Sequence, residues 1–79
     1  MRVVLWDRSI EIRQGSNDHF ACVNNSRDAL RLLMTDWPVK GKSFAAARAA
    51  CMKSIDGDVE MATAIEAFES AAREADMLR

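Results

Sequence analysis

Apolar and polar residues alternate over residues 4 to 13, where most even positions are apolar and the odd positions from Asp7 onward are polar. The apolar even positions are Val4, Trp6, Ile10 and Ile12. This period of two is typical of a strand with one buried face, so we predict a strand over about residues 9 to 13, with its start open towards the N-terminus. Arg8 falls on the apolar face, which favours a bulge or break near it.

A second strand is predicted after a segment rich in turn-forming residues. Residues 14 to 18 read Gln-Gly-Ser-Asn-Asp, a composition that favours a turn. Residues 20 to 23, Phe-Ala-Cys-Val, are apolar on both faces, so we expect this strand to be the better buried of the two. The two strands would form a hairpin, and because an isolated hairpin is barely stable, helices are expected to cover one of its faces.

The first helix is predicted to begin at Ser26, because Asn25 and Asp28 have the spacing of capping residues. It is expected to end at Asp36, since Pro38 cannot lie in a helix interior and excludes the residue before it from the helical region. Its apolar positions are Ala29, Leu30, Leu32, Leu33 and Met34, and Arg27 and Arg31 lie on the other side.

Two further helices are predicted on either side of Gly57. Apolar residues recur at helical spacing from about Ser43 to Ile55 and from about Val59 to Asp76. The stripe of the second helix is Phe44, Ala47, Cys51 and Ile55, and that of the third is Met61, Ile65, Phe68, Ala72 and Ala75. We expect Gly57 to close the second helix and Asp58 to cap the start of the third.

These elements predict an α+β fold in a single small domain spanning residues 1–79, with an N-terminal β-hairpin followed by three α-helices packed on one face of it (ββααα). On the exposed side of the third helix, Glu69 and Arg73 have the spacing of an ion pair. A chain of 79 residues builds only a small core, and proteins of this size often depend on a disulfide, a metal or a partner subunit.

Composition and charge narrow the classes of function. The formal net charge is -1, so the chain as a whole has no electrostatic attraction for nucleic acid or for an anionic membrane. No apolar run approaches the roughly 20 residues of a membrane span, and Asp7 and Arg8 interrupt the N-terminus too early for a signal peptide. We therefore expect a cytoplasmic protein in which Cys22 and Cys51 are reduced thiols.

A series of residues at characteristic spacing runs through nearly the whole chain. The series is Trp6, Ile10, Ile12, Val23, Ala29, Leu33, Trp37-Pro38, Gly41, Phe44, Ala47, Cys51, Gly57, Ala67-Phe68, Ala71-Ala72 and Glu74-Ala75. It resembles the bacterial family called domain of unknown function 982, most specifically from Trp37 to Gly57. Ile65 replaces an arginine of the family pattern and Asp76 a glycine, and a short final strand before Arg79 is left open. The family has no assigned activity, substrate or partner, so the resemblance implies a fold and supplies no site.

Three residues are candidates for chemistry: His19, Cys22 and Cys51. No cluster of His and Cys has the spacing of a metal site, and nothing near Cys51 is suited to lower the pKa of a thiol. Cys51 lies on the apolar stripe of the second helix, so we interpret it as a core residue and His19 as structural or exposed. A small-ligand or thiol-redox role through Cys22, Cys51 and His19 is kept as an alternative; no catalytic, cofactor or metal residue is assigned, and we expect no enzyme activity.

One group of basic residues could contact an acidic partner or RNA: Arg27, Arg31, Lys40 and Lys42. A nucleic-acid-associated or regulatory protein using this group is the second alternative. The preferred hypothesis is a non-enzymatic interaction or oligomerisation module that forms a homodimer. A hairpin with an open edge and a small core gains stability from pairing, either by addition of a strand at the edge or by apolar contact between helices.

Overall fold

The structure, a computed structural model, describes residues 5–14, 19–35, 37 and 40–78, except for the side chains of residues 14 and 19. Its elements are the strands β1 (Leu5–Gln14) and β2 (His19–Asn25) and the helices α1 (Ser26–Thr35), α2 (Lys42–Ile55) and α3 (Met61–Glu74). The predicted α+β fold with the order ββααα is confirmed. The turn predicted up to residue 18, the helix end at Asp36 and the role of Pro38 lie outside the described residues.

The strands β1 and β2 pair antiparallel, with regular register from Ile10 opposite Val23 to Gln14 opposite His19. The register shifts between Leu5 and Ile10, which confirms the irregularity predicted near Arg8. The side chains of Trp6, Ile10 and Ile12 lie buried on the helix side, as their even spacing predicts. The irregularity accounts for Arg8, which has the same spacing but is exposed. The strand therefore begins well before residue 9.

The prediction that the second strand is the better buried one is wrong. Among the β2 side chains that the structure describes, Val23 and Asn25 are buried, and Phe20 and Cys22 are exposed. The cause is the layer arrangement: α1 packs against β2 and α3 against β1, so helices cover one face of the sheet. No described element covers the other face, and a strand with apolar residues on both sides then exposes half of them.

The start of α1 is fixed by Asn25, as predicted. Its side-chain oxygen accepts a hydrogen bond of 2.8 Å from the backbone N–H of Asp28, and its amide nitrogen donates to the Asp28 carboxylate at 3.1 Å. The next residue, Ser26, joins three elements, because its hydroxyl accepts from Trp6 Nε1 at 3.0 Å and donates to Ser54 at 2.9 Å. These bonds hold the start of α1 between β1 and the end of α2.

Gly57 closes α2 as predicted, with a φ of +82°. The N–H of Asp58 donates to the Lys53 carbonyl at 2.8 Å, and the N–H of Gly57 donates to that of Ser54 at 3.1 Å. Asp58 thus completes the end of α2 and does not cap α3, which begins at Met61 after Glu60 and shows no side-chain cap. The predicted start at Val59 is two residues too early, because the chain needs this length to reverse direction.

The same backbone arrangement closes α3 at Asp76. Its φ is +58°, the left-handed region, and the N–H of Met77 donates to the Ala72 carbonyl at 2.8 Å. The helix therefore ends at Glu74, before the predicted end at Asp76. A glycine would adopt this left-handed conformation without steric cost.

The core is centred on Phe68, whose side chain is fully buried on α3. Its ring lies between those of Trp6 at 5.8 Å and Trp37 at 5.4 Å, both in tilted orientations. Ile65 is also buried in this core. The predicted stripe of α2 fails at its last member, since Ile55 is 44% exposed where the end of α2 extends past the core.

The predicted pair of Glu69 and Arg73 is also wrong. The carboxylate of Glu69 instead receives two hydrogen bonds from Arg8, each of 3.3 Å, which link β1 to α3. An ion pair between elements depends on tertiary packing, and helical spacing alone does not reveal it.

The chain after α3 returns to β1. Met77 is buried, and its carbonyl accepts a hydrogen bond of 2.7 Å from the N–H of Arg13. Leu78 forms an isolated antiparallel bridge with Ile12. The final strand that the sequence leaves open is therefore present as a single bridge.

Replacing Trp37 tests the aromatic core. Trp37→Ala is expected to lower the free energy of unfolding by about 3–5 kcal/mol, because a large buried ring is removed. Trp37→Phe is the matched variant. Because Trp37 Nε1 is buried with no hydrogen-bond partner in the described part of the chain, this variant loses only ring volume. It is expected to lower the free energy of unfolding by about 1–2 kcal/mol. Urea unfolding measures both. A loss below roughly 1 kcal/mol for the alanine variant would contradict burial of Trp37.

Replacing Asp76 tests the left-handed end of α3. Asp76→Gly is expected to raise the free energy of unfolding by up to about 1 kcal/mol, because glycine removes the steric cost at a φ of +58°. Gly57→Ala is the converse variant and is expected to lower the free energy of unfolding by about 1 kcal/mol, because alanine is strained in the left-handed region. The loss does not come from a clash, since no atom lies within 4 Å of the added methyl group. Thermal unfolding of the two variants should shift in opposite directions, and a destabilised Asp76→Gly variant would refute this explanation.

Candidate interaction surface

The sheet has two strands, so each strand has one edge that the other does not cover. The outer edge of β1 is protected in several ways. The N–H of Arg13 is bonded to Met77, Leu78 bridges Ile12, and the Arg8–Glu69 ion pair stands beside the edge. Such charges and irregularities are the devices by which natural edge strands avoid pairing with other chains.

A shallow cleft of about 220 Å³ lies along this protected edge. It is lined by Arg8, Ser9, Ile10, Glu11, Glu69 and Leu78. The hydrogen bond with Glu69 raises the pKa of Arg8. The cleft is shallow and open, and the guanidinium on its wall is already paired with Glu69, so it offers little to hold a ligand.

The side to which each N–H and C=O group of β2 points follows from the arrangement in β1. The N–H of Arg13 points to Met77, on the side away from β2. Along a strand, successive residues direct their N–H and C=O groups alternately to the two sides, so the backbone groups of Glu11 also point away from β2. Cys22 lies opposite Glu11, and its N–H and C=O groups therefore point away from β1. The N–H and C=O of Cys22 and Asn24 therefore point outwards from the sheet, whereas those of Ala21 and Val23 point to β1.

These outward groups form what we call the open edge of β2, defined by the backbones of Cys22 and Asn24. In the described part of the chain, no backbone hydrogen bond joins either residue to an element outside the hairpin. The strand reads His-Phe-Ala-Cys-Val-Asn-Asn and contains no Asp, Glu, Lys or Arg. It therefore lacks the charges that protect β1, and a strand of this kind is prone to pair with another strand.

The three candidates for chemistry are not assembled into a site. Cys51 is fully buried in α2, and desolvation raises its pKa to about 12, so its thiolate is scarce at neutral pH. Cys22 is exposed on the outer face of β2, and both thiols are free. The backbone of His19 begins β2, and its side chain lies outside the described residues. Within residues 5–14, 19–35, 37 and 40–78, no three potential ligands cluster as a metal site.

The four basic residues are all exposed, but they form two separate pairs. Arg27 and Arg31 are one turn apart on α1, and Lys40 and Lys42 flank the start of α2. Arg31 is bound to the Asp28 carboxylate at 3.1 Å, which offsets part of its charge.

Exposed apolar side chains are scattered over several elements. The largest are Leu5, Phe20, Met34, Met52 and Ile55. Met52 and Ile55 share the end of α2 and are the best candidates for contact between helices. Among the helices that the structure describes, none is long and apolar enough to span a membrane.

A comparison with known protein families shows which family this chain belongs to. The sequence profile of the family described as Protein of unknown function (DUF982) matches residues 8–79. The chain belongs to the DUF982 family. The resemblance drawn from the spacing of Trp37, Gly57 and their neighbours is thereby confirmed. No curated protein and no solved structure matches the chain.

For this DUF982 member, sequence reasoning predicted an open edge of the hairpin but did not assign it to β2. A hint was available, since residues 19–25 contain no Asp, Glu, Lys or Arg, whereas residues 7–13 contain four. The decisive fact is the direction of the backbone groups. It depends on the register of β1 and β2 and on the bond between Arg13 and Met77, and none of these can be seen in the sequence pattern.

Thiol labelling tests the placement of the two cysteines in this DUF982 member. In the native state, Cys22 is expected to react at the rate of an unstructured peptide thiol. In the variant Cys22→Ser, the remaining Cys51 is expected to react at least about a hundred-fold more slowly, because it is buried and mostly protonated. Addition of urea should expose it. Fast labelling of the folded variant would show that Cys51 is accessible and would revive the thiol hypothesis.

Proposed function

We propose that this protein is a non-enzymatic interaction module that forms a homodimer by adding strand to strand at the open edge of β2. The observation that supports the proposal is the contrast between the two edges of the sheet. The edge of β1 carries charges, a register shift and the bridge to Leu78, whereas β2 presents outward backbone groups and no charged side chain. Unpaired backbone groups at a strand edge favour addition of another strand.

The size of the protein supports the same proposal. The core rests on a few large side chains, and a domain this small buries only about 60% of the surface of its unfolded chain. Pairing between copies would add backbone hydrogen bonds and bury more of the exposed residues near the edge. Contact through Met52 and Ile55 on α2 is the competing geometry for a dimer, and the experiment below separates the two.

The nucleic-acid alternative has weaker support. Arg27, Lys40 and Lys42 are exposed, but Arg31 is bound to Asp28 and the formal net charge is -1. Binding to a mixed pool of nucleic acids that survives physiological salt, and that is weakened by Arg27→Ala or Lys42→Ala, would favour this alternative over the dimer.

Light scattering of the wild type and of two variants at Cys22 tests the proposed function. Cys22→Pro removes an outward N–H without removing a bond to β1, so the hairpin should survive, since proline is tolerated where the N–H of an edge strand faces solvent. Cys22→Thr keeps the N–H and is the matched control. At micromolar concentration, the wild type and the threonine variant should be dimers and the proline variant a monomer.

Circular dichroism and urea unfolding show whether the variants keep the fold. A wild type that remains monomeric up to millimolar concentration would refute the proposal. A folded proline variant that is still dimeric would place the interface elsewhere, with the helix residues Met52 and Ile55 as the next to test.

A further inference from the structure

The exposed side of α2 carries a line of apolar residues. Ala45, Ala49 and Met52 follow one another at intervals of four and three residues, so they share one side of the helix. All three are exposed, and Met52 is 48% exposed. We call this line the exposed seam of α2. It lies opposite the buried side of the helix, which includes Ala47 and Cys51.

Positive charges border the exposed seam on both sides. At about 3.6 residues per turn, Lys42 and Lys53 lie along one side of it and Arg48 along the other. All three are exposed, and none forms an ion pair with another residue that the structure describes. α2 contains no Asp or Glu, and the first carboxylate after it is that of Asp56, at its C-cap. The surface is therefore apolar along its centre and positive along both rims.

We propose that the exposed seam of α2 binds a helix of another protein, one that has an apolar line of its own with carboxylates on both sides. Helix pairs of this kind place apolar residues at the centre of the contact and opposite charges along its rims. The two alanines of the seam let the backbone of a second helix approach closely. The inference goes beyond the proposed function, because it uses a helix rather than the edge of β2 and does not depend on the dimer.

The described helices of a second copy do not match this surface. Two α2 helices would bring only positive charges together across the seam, and like charges repel. The exposed side of α1 carries Arg27 and Arg31, so it has the same sign. The exposed side of α3 carries Glu66, but Ser70 and Arg73 stand beside it in place of an apolar line. Charge and pattern therefore favour a helix of a different protein.

Anionic membranes and nucleic acids also attract Lys and Arg, but the exposed seam suits neither. Helices that lie in a membrane surface bury Trp, Phe or Leu in the lipid, whereas the seam presents two alanines and one methionine. Binding of single-stranded nucleic acid combines positive charge with aromatic stacking, and the seam contains no aromatic residue. The experiment below distinguishes both from a helical partner.

Binding of helical peptides tests the proposal. The probe is a pool of synthetic helical peptides of about 18 residues, in which the central line varies among Ala, Leu, Ile and Met and Glu occupies the positions on both sides. The control pool has the same central lines with Lys in place of Glu. At physiological salt, the acidic pool should bind, as measured by fluorescence anisotropy, and should shift the NMR signals of α2. The basic pool should bind at least about ten-fold more weakly.

Matched variants test the residues of the surface. Ala49→Glu places a larger, negative side chain on the seam and should weaken binding of the acidic pool at least about ten-fold, whereas Ala62→Glu, at an exposed position of α3, should not. Lys53→Glu should weaken it about five-fold. Arg13→Glu changes the net charge equally on the sheet face away from the helices and should have no effect. Lys42→Glu combined with Lys53→Glu should gain affinity for the basic pool. Circular dichroism verifies that each variant is folded.

Several results would overturn the proposal. These are equal binding of the two pools, signal shifts confined to elements other than α2, and no binding at millimolar peptide concentration. Loss of the dimer in Ala49→Glu, measured by light scattering, would assign the seam to a second copy. Binding to vesicles of phosphatidylserine and phosphatidylcholine, or to a mixed pool of nucleic acids, would assign it to those partners if Lys53→Glu abolished this binding and neither peptide pool bound.

The Cys22→Pro variant separates this inference from the proposed function. As a monomer with an intact α2, it should bind the acidic pool as tightly as the wild type does. A wild type that is monomeric but binds the acidic pool through α2 would refute the dimer and support the helical partner.

Discussion

The fold depends on one contact, the ring of Phe68 between those of Trp6 and Trp37. It joins β1, α3 and Trp37, two positions after the end of α1, at centroid distances of 5.8 and 5.4 Å. Aromatic rings supply more buried area than any other side chain, and tilted pairs add a favourable electrostatic contribution. The residues packed around them are small, with Ala47, Ala64, Ala71 and Ala72 all buried. These alanines let α2 and α3 approach closely enough to enclose the rings, which is how so short a chain builds a dry interior.

The position of this core on one side of the sheet determines what is left for interaction. The rings draw the helices to the inner face of the hairpin, so the outer face and the two strand edges are not covered by them. One edge is then protected by Arg8, Glu69 and the return of the chain at Leu78. In the part of the chain that the structure describes, the other edge presents the outward backbone groups of Cys22 and Asn24. In this view the open edge of β2 is a consequence of how the core is built, because covering it would need a further element.

The sequence predicted those features that depend on local chemistry. The alternation in β1, the cap at Asn25 and the end of α2 at Gly57 all follow from neighbouring residues, and the structure confirms them. The failures involve residues distant in the chain. The partner of Glu69 is Arg8, 61 positions away, and helical spacing pointed instead to Arg73.

The prediction that β2 is the better buried strand was wrong for a related reason. An apolar run does not reveal whether one or both faces of a sheet are covered. The assignment of the open edge to β2 was missed for the same reason. The side to which the N–H and C=O groups of β2 point is fixed by the bond from Arg13 to Met77, 64 residues later in the chain.

Amide hydrogen exchange, measured by NMR at several protein concentrations, tests the open edge most directly. The amides of Ala21 and Val23 face β1 and should be protected throughout, whereas those of Cys22 and Asn24 should gain protection as the concentration rises. Amides of Cys22 and Asn24 that exchange freely at millimolar concentration, beside protected Ala21 and Val23, would contradict the account.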